Sequence, residues 1–316
     1  MKSKHSSFRL SALGLSLAFG TPLLLPAQET EQKVWNAETI YEELSKPVIV
    51  QTKVGRDFSG MPIQVNAEGI ILLDTVGSGS VEYNFAAEDI VNVRLPGGAL
   101  RTHALDLIES GAASAGLDLL ETLYRQREPF FPYLPEAEPV FFAEQLPAFR
   151  QAGETARGVA LAKALRPWLA ANAAMLDLID DELLLGAFLL GNSEEARIRA
   201  LDWIEIKGRE ARSALGWYVL GTLQRDAEDF DAAWFTWLKP IVFSGARHPA
   251  YLAECYAGVV EVGLLLERPN EARRLLEEMQ QRGLEWPADR PFPEFPTEEE
   301  AASTDDASSA TDPNTP

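Results

Sequence analysis

Hydropathy along this chain changes its period twice. After an apolar run at Leu10–Leu25, the stretch from Val48 to Leu95 alternates with a period of two. Val81, Tyr83 and Phe85 share one face there, as do Val91, Val93 and Leu95. Alternation of this kind marks half-buried strands. Turn-forming clusters separate five β-prone runs: Val48–Lys53, Asp57–Val65, Gly69–Val76, Ser80–Phe85 and Val91–Leu95. Strands so short and so close in sequence do not bury two separate sheets, so a single sheet curled on itself into a small five-stranded β-barrel is expected. Ahead of it, Asn36 is placed as the N-cap of a short helix, with Glu38 and Thr39 in its first turn.

From Ala99 the apolar spacing becomes helical. Leu100–Ile108 and Ala115–Arg127 form a first pair, followed by Val140–Ala152 with Glu154–Ala170, and Ala173–Leu190 with Ser193–Lys207. Arg209–Arg225 with Phe230–Phe243, and Pro249–Leu266 with Asn270–Arg282, complete the series. Pro147 and Pro167 are expected to end or kink their helices, because proline lacks the N–H and clashes with the preceding turn. The Pro-rich stretch Glu128–Pro139 carries Phe130, Phe131 and Tyr133. It reads as a loop pinned onto the core, with an exposed docking segment as the rival.

Within the fourth pair, Trp217, Leu220-Gly221, Phe230, Ala233, Trp237 and Pro240 fall where an α-hairpin repeat needs large and small residues. This pattern resembles the tetratricopeptide repeat. Ala196 and Ala272 repeat the small position at 37 and 39 residues from Ala233, wider than the roughly 34 of a strict array. The match is clearest over 173–283 and weaker from 99, and Gly158 and Gly186 fit no common register. The strand-rich block, through "TKVGRDFSG", "GIILLD" and "EDIVNVRLP", resembles the SH3-like and Sm-like barrels over Val48–Pro96. Together the expected fold is α+β multidomain and mostly α: a small β-barrel followed by a tetratricopeptide-like array of helical hairpins. The expected boundaries are 1–27 for a signal peptide, 28–46 for a short helix and linker, 47–97 for the barrel, 99–284 for the helical domain and 285–316 for a disordered acidic tail.

The leader changes the picture of where the chain works. Lys2, Lys4 and Arg9 precede the apolar run, and Ala27 precedes polar Gln28–Glu31, which reads as a bacterial-type export signal. Cleavage is expected after Ala27, with Gly20 as the rival site. Gly14, Gly20, Pro22 and Pro26 interrupt the run and speak against an uncleaved anchor. A periplasmic or secreted protein without stable membrane insertion is expected. The net charge of −20 repels phosphate backbones, so nucleic acid is not an expected partner. Cys255 is the single cysteine, which excludes an intramolecular disulfide.

Candidate chemistry is sparse. His103 and His248 are isolated, and the acidic run Asp177, Asp180, Asp181, Glu182 reads as a solvated helix face rather than a cation loop. The basic cluster of Arg197, Arg199, Lys207, Arg209 and Arg212 is interleaved with acids and reads as helical ion pairs. No catalytic, cofactor-binding or metal-ligating residue is assigned, and no cofactor is expected. If the repeat register holds, helix-A positions line an inner groove: Leu215, Tyr218, Thr222, Arg225 and Asp226 in the fourth unit, Asp181 and Leu185 in the third, Glu254 and Glu261 in the fifth. Tyrosine and arginine are common anchors of protein interfaces. The resemblance implies an exported, non-enzymatic scaffold or adaptor that binds a protein or peptide of the cell envelope through this groove. The alternative is a glycan-binding protein or hydrolase with a carboxylate site between barrel and helices. The sequence leaves the partner's identity, the barrel's role and the oligomeric state open.

Overall fold

The computed structural model of the protein describes residues 35–76, 79–208 and 212–295. The expected signal peptide and the greater part of the expected tail lie outside the described residues. Among the described residues, the chain before Glu43 and the chain from Glu43 onward fall into separate units. The first described helix, α1 (Ala37–Leu44), opens with a reciprocal cap. Asn36 Oδ1 accepts the Thr39 N–H at 2.9 Å, and Thr39 Oγ1 accepts the Asn36 N–H at 2.9 Å. Two donors that a helix start would leave unpaired are thereby satisfied.

Five antiparallel strands follow: β1 (Val48–Thr52), β2 (Asp57–Asn66), β3 (Gly69–Val76), β4 (Gly79–Ala86) and β5 (Ile90–Arg94). Their spatial order is β4-β3-β2-β1-β5, so β4 and β5 are both edges. The expected closed SH3-like or Sm-like barrel is therefore corrected to an open sheet. Strand β2 pairs with β1 through Asp57–Gly60 and with β3 from Met61 onward. At the changeover Gly60 passes so close to β3 that a Cβ would lie 2.9 Å from the Leu73 carbonyl oxygen. A bulge between Pro62 and Gln64 then shifts the alternation by one, so that Val65 packs against the same core cluster as Phe58.

Closure is unnecessary because another part of the chain covers the apolar face. Val48, Val50, Ile70, Leu72, Phe85 and Val93 form one cluster with Phe130, and Phe58, Tyr83, Tyr133 and Leu134 pack around it. Phe130, Tyr133 and Leu134 come from the Pro-rich stretch, whose residues Glu128–Tyr133 form a 3₁₀ helix. The sheet buries its face against that aromatic plug instead of against its own edges. Tyr133 also donates its hydroxyl to the Asn66 carbonyl.

Among the described residues eleven further helices pair into five hairpins: α2 (Gly98–Glu109) with α3 (Ala113–Arg127), then α4 (Ala137–Glu144) and α5 (Leu146–Gln151) with α6 (Thr155–Leu165). Next come α7 (Ala173–Leu189) with α8 (Ser193–Lys207), α9 (Leu215–Asp226) with α10 (Phe230–Ser244), and α11 (Leu252–Leu265) with α12 (Pro269–Gln281). The second hairpin's first helix is broken at Gln145, two residues before Pro147, and α6 stops two residues before Pro167. In the fourth hairpin α9 begins at Leu215, and the expected start at Arg209 lies outside the described residues.

Every hairpin turns in the same way. Gly111, Gly153, Gly191, Glu228 and Glu267 each take a positive φ. The residue after each donates its N–H to the carbonyl five positions back: Ala112 to Leu107, Glu154 to Phe149, Asn192 to Ala187, Asp229 to Gln224, Arg268 to Gly263. This is the Schellman closure. The fourth residue of each second helix is small and buried: Gly116, Gly158, Ala196, Ala233 and Ala272. A Cβ on Gly116 would lie 2.6 Å from the Ala104 carbonyl, and one on Gly158 2.9 Å from Phe149 Cβ. The tetratricopeptide-like register therefore runs through all five hairpins and takes in Gly158. Substitution of glycine for alanine hid it in the first two.

Candidate protein-binding surface

Stacking puts the first helices of successive hairpins side by side. Helix α9 meets both α7 and α11, while α5 meets α7, so these four present one continuous inner layer. The sequence that builds this layer is a set of Trp–Gly interlocks. Trp237 of α10 is fully buried between α9 and α11, where Gly221 and Gly258 leave room for its indole. Trp237 Nε1 donates to the Tyr218 carbonyl at 3.2 Å, and Thr222 Oγ1 donates to the same oxygen at 2.8 Å. These two hydrogen bonds hold the Tyr218 backbone, while its ring meets Tyr251 and Phe188.

The inner face carries a row of aromatic and charged side chains from four helices. The ring of Tyr218 stacks on Tyr251 at 5.4 Å, nearly parallel, and meets Phe188 of α7 edge-on at 6.0 Å. Tyr251 sits just before α11 with a left-handed backbone, φ 64°, a conformation that costs a non-glycine residue about 1–2 kcal/mol. Towards α5, Arg150 makes a two-point pair with Glu182, Nε to Oε2 at 3.1 Å and Nη2 to Oε1 at 3.2 Å. Towards the C-terminus, Arg225 Nη1 lies 3.7 Å from Glu261 Oε2. Burial pushes the phenols of Tyr218 and Tyr251 up; the charge of Arg290 pulls Tyr218 part of the way back, and that of Arg150 does so for Tyr251.

The segment that follows α12 brings Arg290 onto this same face, while Phe295 lies against Arg273 of α12. After Gly283 the chain leaves α12, and Leu284, Trp286 and Phe295 pack against the helical core. Arg290 Nη1 donates to Glu261 Oε2 at 3.0 Å, and its side chain is only 12% exposed. The first part of the stretch expected as an acidic tail is thus packed, by its aromatic residues, on the repeat array.

The structure gathers Tyr218, Arg225, Glu254 and Glu261 around this row, with Glu254 close enough to act on the Tyr218, Tyr251 and Cys255 groups. Thr222 is buried and holds the Tyr218 carbonyl instead of facing outward. Asp226 is exposed and accepts from Arg225 at 2.8 Å. Asp181 is turned to its own hairpin, accepting from Trp203 Nε1 at 2.7 Å and Lys207 Nζ at 3.2 Å. Leu215 and Leu185 are buried in the core. Phe188, Tyr251, Arg150, Glu182 and Arg290 had no signal at the register used for the groove. Tyr251 precedes its helix, and Arg290 lies beyond the last one.

At the junction of sheet and helices, the buried carboxylate chemistry is structural. Glu138 pairs with Arg101 and, at 3.1 Å, with Arg127 Nε, while Arg127 donates to the Pro96 carbonyl at 3.0 and 2.9 Å. Burial lowers the Arg127 guanidinium to about 10, Arg101 adding to the effect. Among the described residues no group of three or more His, Cys, Asp or Glu could hold a metal ion. No helix among them is long and apolar enough to cross a membrane. A cavity of about 470 Å³ opens between α10 and α12, lined by Trp234, Glu271, Arg274 and Glu278 among others.

No protein-family model matches the chain, and no curated protein matches its sequence. Among solved structures, the chain is similar to MamA 41-end from Desulfovibrio magneticus RS-1, with 11% identity, TM-score 0.43, and coverage of 58% of this chain and 93% of that one. It is similar to a Podosopora anserina putative kinesin light chain with nearly identical TPR-like repeats, at 14% identity and TM-score 0.45, covering 58% and 92%. BtubC (BKLC) from P. vanneervenii gives 13% identity and TM-score 0.40, covering 63% and 97%. At these values no residue role or activity passes from them to this chain. The protein's own coordinates give the architecture: a five-stranded open sheet followed by a tetratricopeptide-like array of helical hairpins.

Proposed function

We propose that this protein is a non-enzymatic scaffold that holds a segment of another protein along the inner layer formed by α5, α7, α9 and α11. The observation that supports it is the row Arg150–Glu182, Phe188–Tyr218–Tyr251 and Arg225–Glu261, a continuous strip of aromatic and charged groups shared by four helices. Rigid aromatic rings and arginine give large interface energies at low cost in conformational entropy. A partner of basic or apolar character suits a chain of net charge −20. The leader Lys2–Ala27 supports export, with the scaffold acting in the cell envelope.

Two measurements test this. Intact mass of the purified protein from its native host reads the N-terminus, and a mature chain starting at Gln28 or Thr21 in the envelope fraction is expected. Recovery of uncleaved protein from the cytoplasm overturns export. Chemical cross-linking followed by purification is expected to enrich a protein partner that Tyr218→Ala/Arg225→Ala loses while its helical circular dichroism is unchanged. Equal recovery by both chains overturns the inner-face assignment.

A further inference from the structure

Resting on the scaffold reading, we infer that the inner face is a receptor for an arginine presented by a proline-flanked segment, and that Arg290 of the chain itself now occupies that place. The partner of this class is a protein segment carrying such an arginine, and it binds by displacing residues 284–295.

Three features carry this. Arg290 is the segment's basic group on the row: its guanidinium pairs with Glu261 at 3.0 Å, lies beside Tyr218 and is nearly buried. Charge-assisted bonds of this kind are the strong ones. Second, the segment is built as a peptide ligand. Trp286, Arg290, Phe292 and Phe295 each stand directly before a proline: Pro287, Pro291, Pro293 and Pro296. The residue before proline is confined to extended conformations, so little freedom is lost on docking. A turn from Pro287 to Arg290, with the Trp286 indole donating to the Arg290 carbonyl at 3.2 Å, projects the arginine inward. Third, its attachment is by side chains. Among the described residues the segment's backbone bonds are Leu284 to Met279 at its root and Arg290 to Pro287 within the turn, and Phe292 remains largely exposed. A segment held by one ion pair and a few rings is exchangeable against another that offers the same groups.

The probe is a fluorescein-labelled synthetic peptide of residues 284–295, titrated by anisotropy against the full chain. Trp286→Ala/Arg290→Ala, which frees the site, is expected to bind it about tenfold or more tightly than wild type, as loss of a competing charged hydrogen bond requires. Adding Glu261→Gln to that variant, or replacing the peptide's arginine by alanine, is expected to abolish the gain. Equal binding by wild type and the folded double variant, or indifference to Glu261→Gln, overturns the inference. Should the double variant not fold, the wild-type chain labelled with ¹⁵N-tryptophan serves. Excess peptide is expected to move one indole signal, assigned to Trp286 through Trp286→Phe, and an unchanged spectrum overturns the inference. A wild-type dimer lost in Trp286→Ala/Arg290→Ala would assign the segment to a second copy, and overturn the partner as well. If the peptide fails while Tyr218→Ala/Arg225→Ala still loses a cross-linked protein, the arginine receptor falls and the scaffold stands. If both fail, both fall.

Discussion

A methyl group on Gly221 would lie 2.4 Å from Nε1 of Trp237, closer than any real carbon makes. The same indole closes on Gly258, where a Cβ would come within 2.7 Å of its Cε3. Similar interlocks pair Gly216 with Trp203 and Gly263 with Trp234, at 2.6 and 2.5 Å. The last three hairpins are thus keyed by tryptophans that fill glycine-sized gaps. Gly221→Ala and Gly258→Ala are each expected to destabilise the protein by about 1–3 kcal/mol, the usual cost of overpacking. Gly98→Ala, where a Cβ meets nothing within 4 Å, is the neutral control in the same urea titration.

The hairpin turns give a prediction of opposite sign. Glu228 and Glu267 adopt φ of 61° and 56°, where Gly111, Gly153 and Gly191 stand in the other three hairpins. Glutamate pays a steric penalty in this region that glycine escapes. Glu228→Gly and Glu267→Gly are expected to raise stability by up to about 1 kcal/mol each, and Gly191→Ala to lower it by a similar amount. Thermal melts of the three variants check the signs.

Phe130 is the physical link between sheet and helices, buried in the sheet's core while its own backbone belongs to the helical part. Phe130→Ala is expected to cost about 3–5 kcal/mol and to uncover the open side of the sheet. The measurement is calorimetry of the variant. A sheet transition separating from that of the helices is expected, and a single transition at the wild-type temperature would contradict the role of the plug.

Alkaline pH should weaken the fold. Burial raises the phenols of Tyr124, Tyr133, Tyr218, Tyr251 and Tyr256 above their ordinary 10.0. An unfolded chain releases these protons near pH 10, while the folded chain keeps them longer, so unfolding becomes coupled to proton loss and stability falls as pH rises past 10. Lys207, raised by its pairs with Asp177 and Asp181 against the lowering effect of burial, acts in the same direction. Arg127 acts oppositely, because its folded value of about 10 lies below that of an ordinary guanidinium, so its contribution improves as pH rises past that value. Five phenols and a lysine against one guanidinium give a net fall. Melting temperatures between pH 8 and 11.5, with tyrosinate absorbance followed alongside, are expected to decline from about pH 10.

Much of this architecture was legible in the chain's periodicity. Alternation located the five strands, and the 3.6 spacing with Gly-marked turns located the hairpins. What alternation does not reveal is what covers a sheet. Closure is expected from five short strands too close in sequence to bury two sheets, whereas Phe130 and Leu134 arrive from beyond α3 to cover Val48, Val50 and Leu72. The repeat register was hidden where glycine replaces alanine at Gly116 and Gly158, and where glutamate replaces the turn glycine. The inner face was half legible. Tyr218, Arg225, Glu254 and Glu261 follow from helical spacing, but Asp181 rotates towards Trp203 and Lys207, and Arg290 and Tyr251 lie outside any helix.

The central claim is that the inner layer, and not the outer flank, holds a partner protein. Site-specific photo-cross-linking in the native host tests it directly, with a benzophenone amino acid placed at Glu254 on the inner face or at Lys239 on the exposed flank of α10. The account predicts a discrete cross-linked protein from position 254 that is absent from position 239. The same product from both positions, or from 239 alone, in chains that fold and accumulate normally, would contradict it.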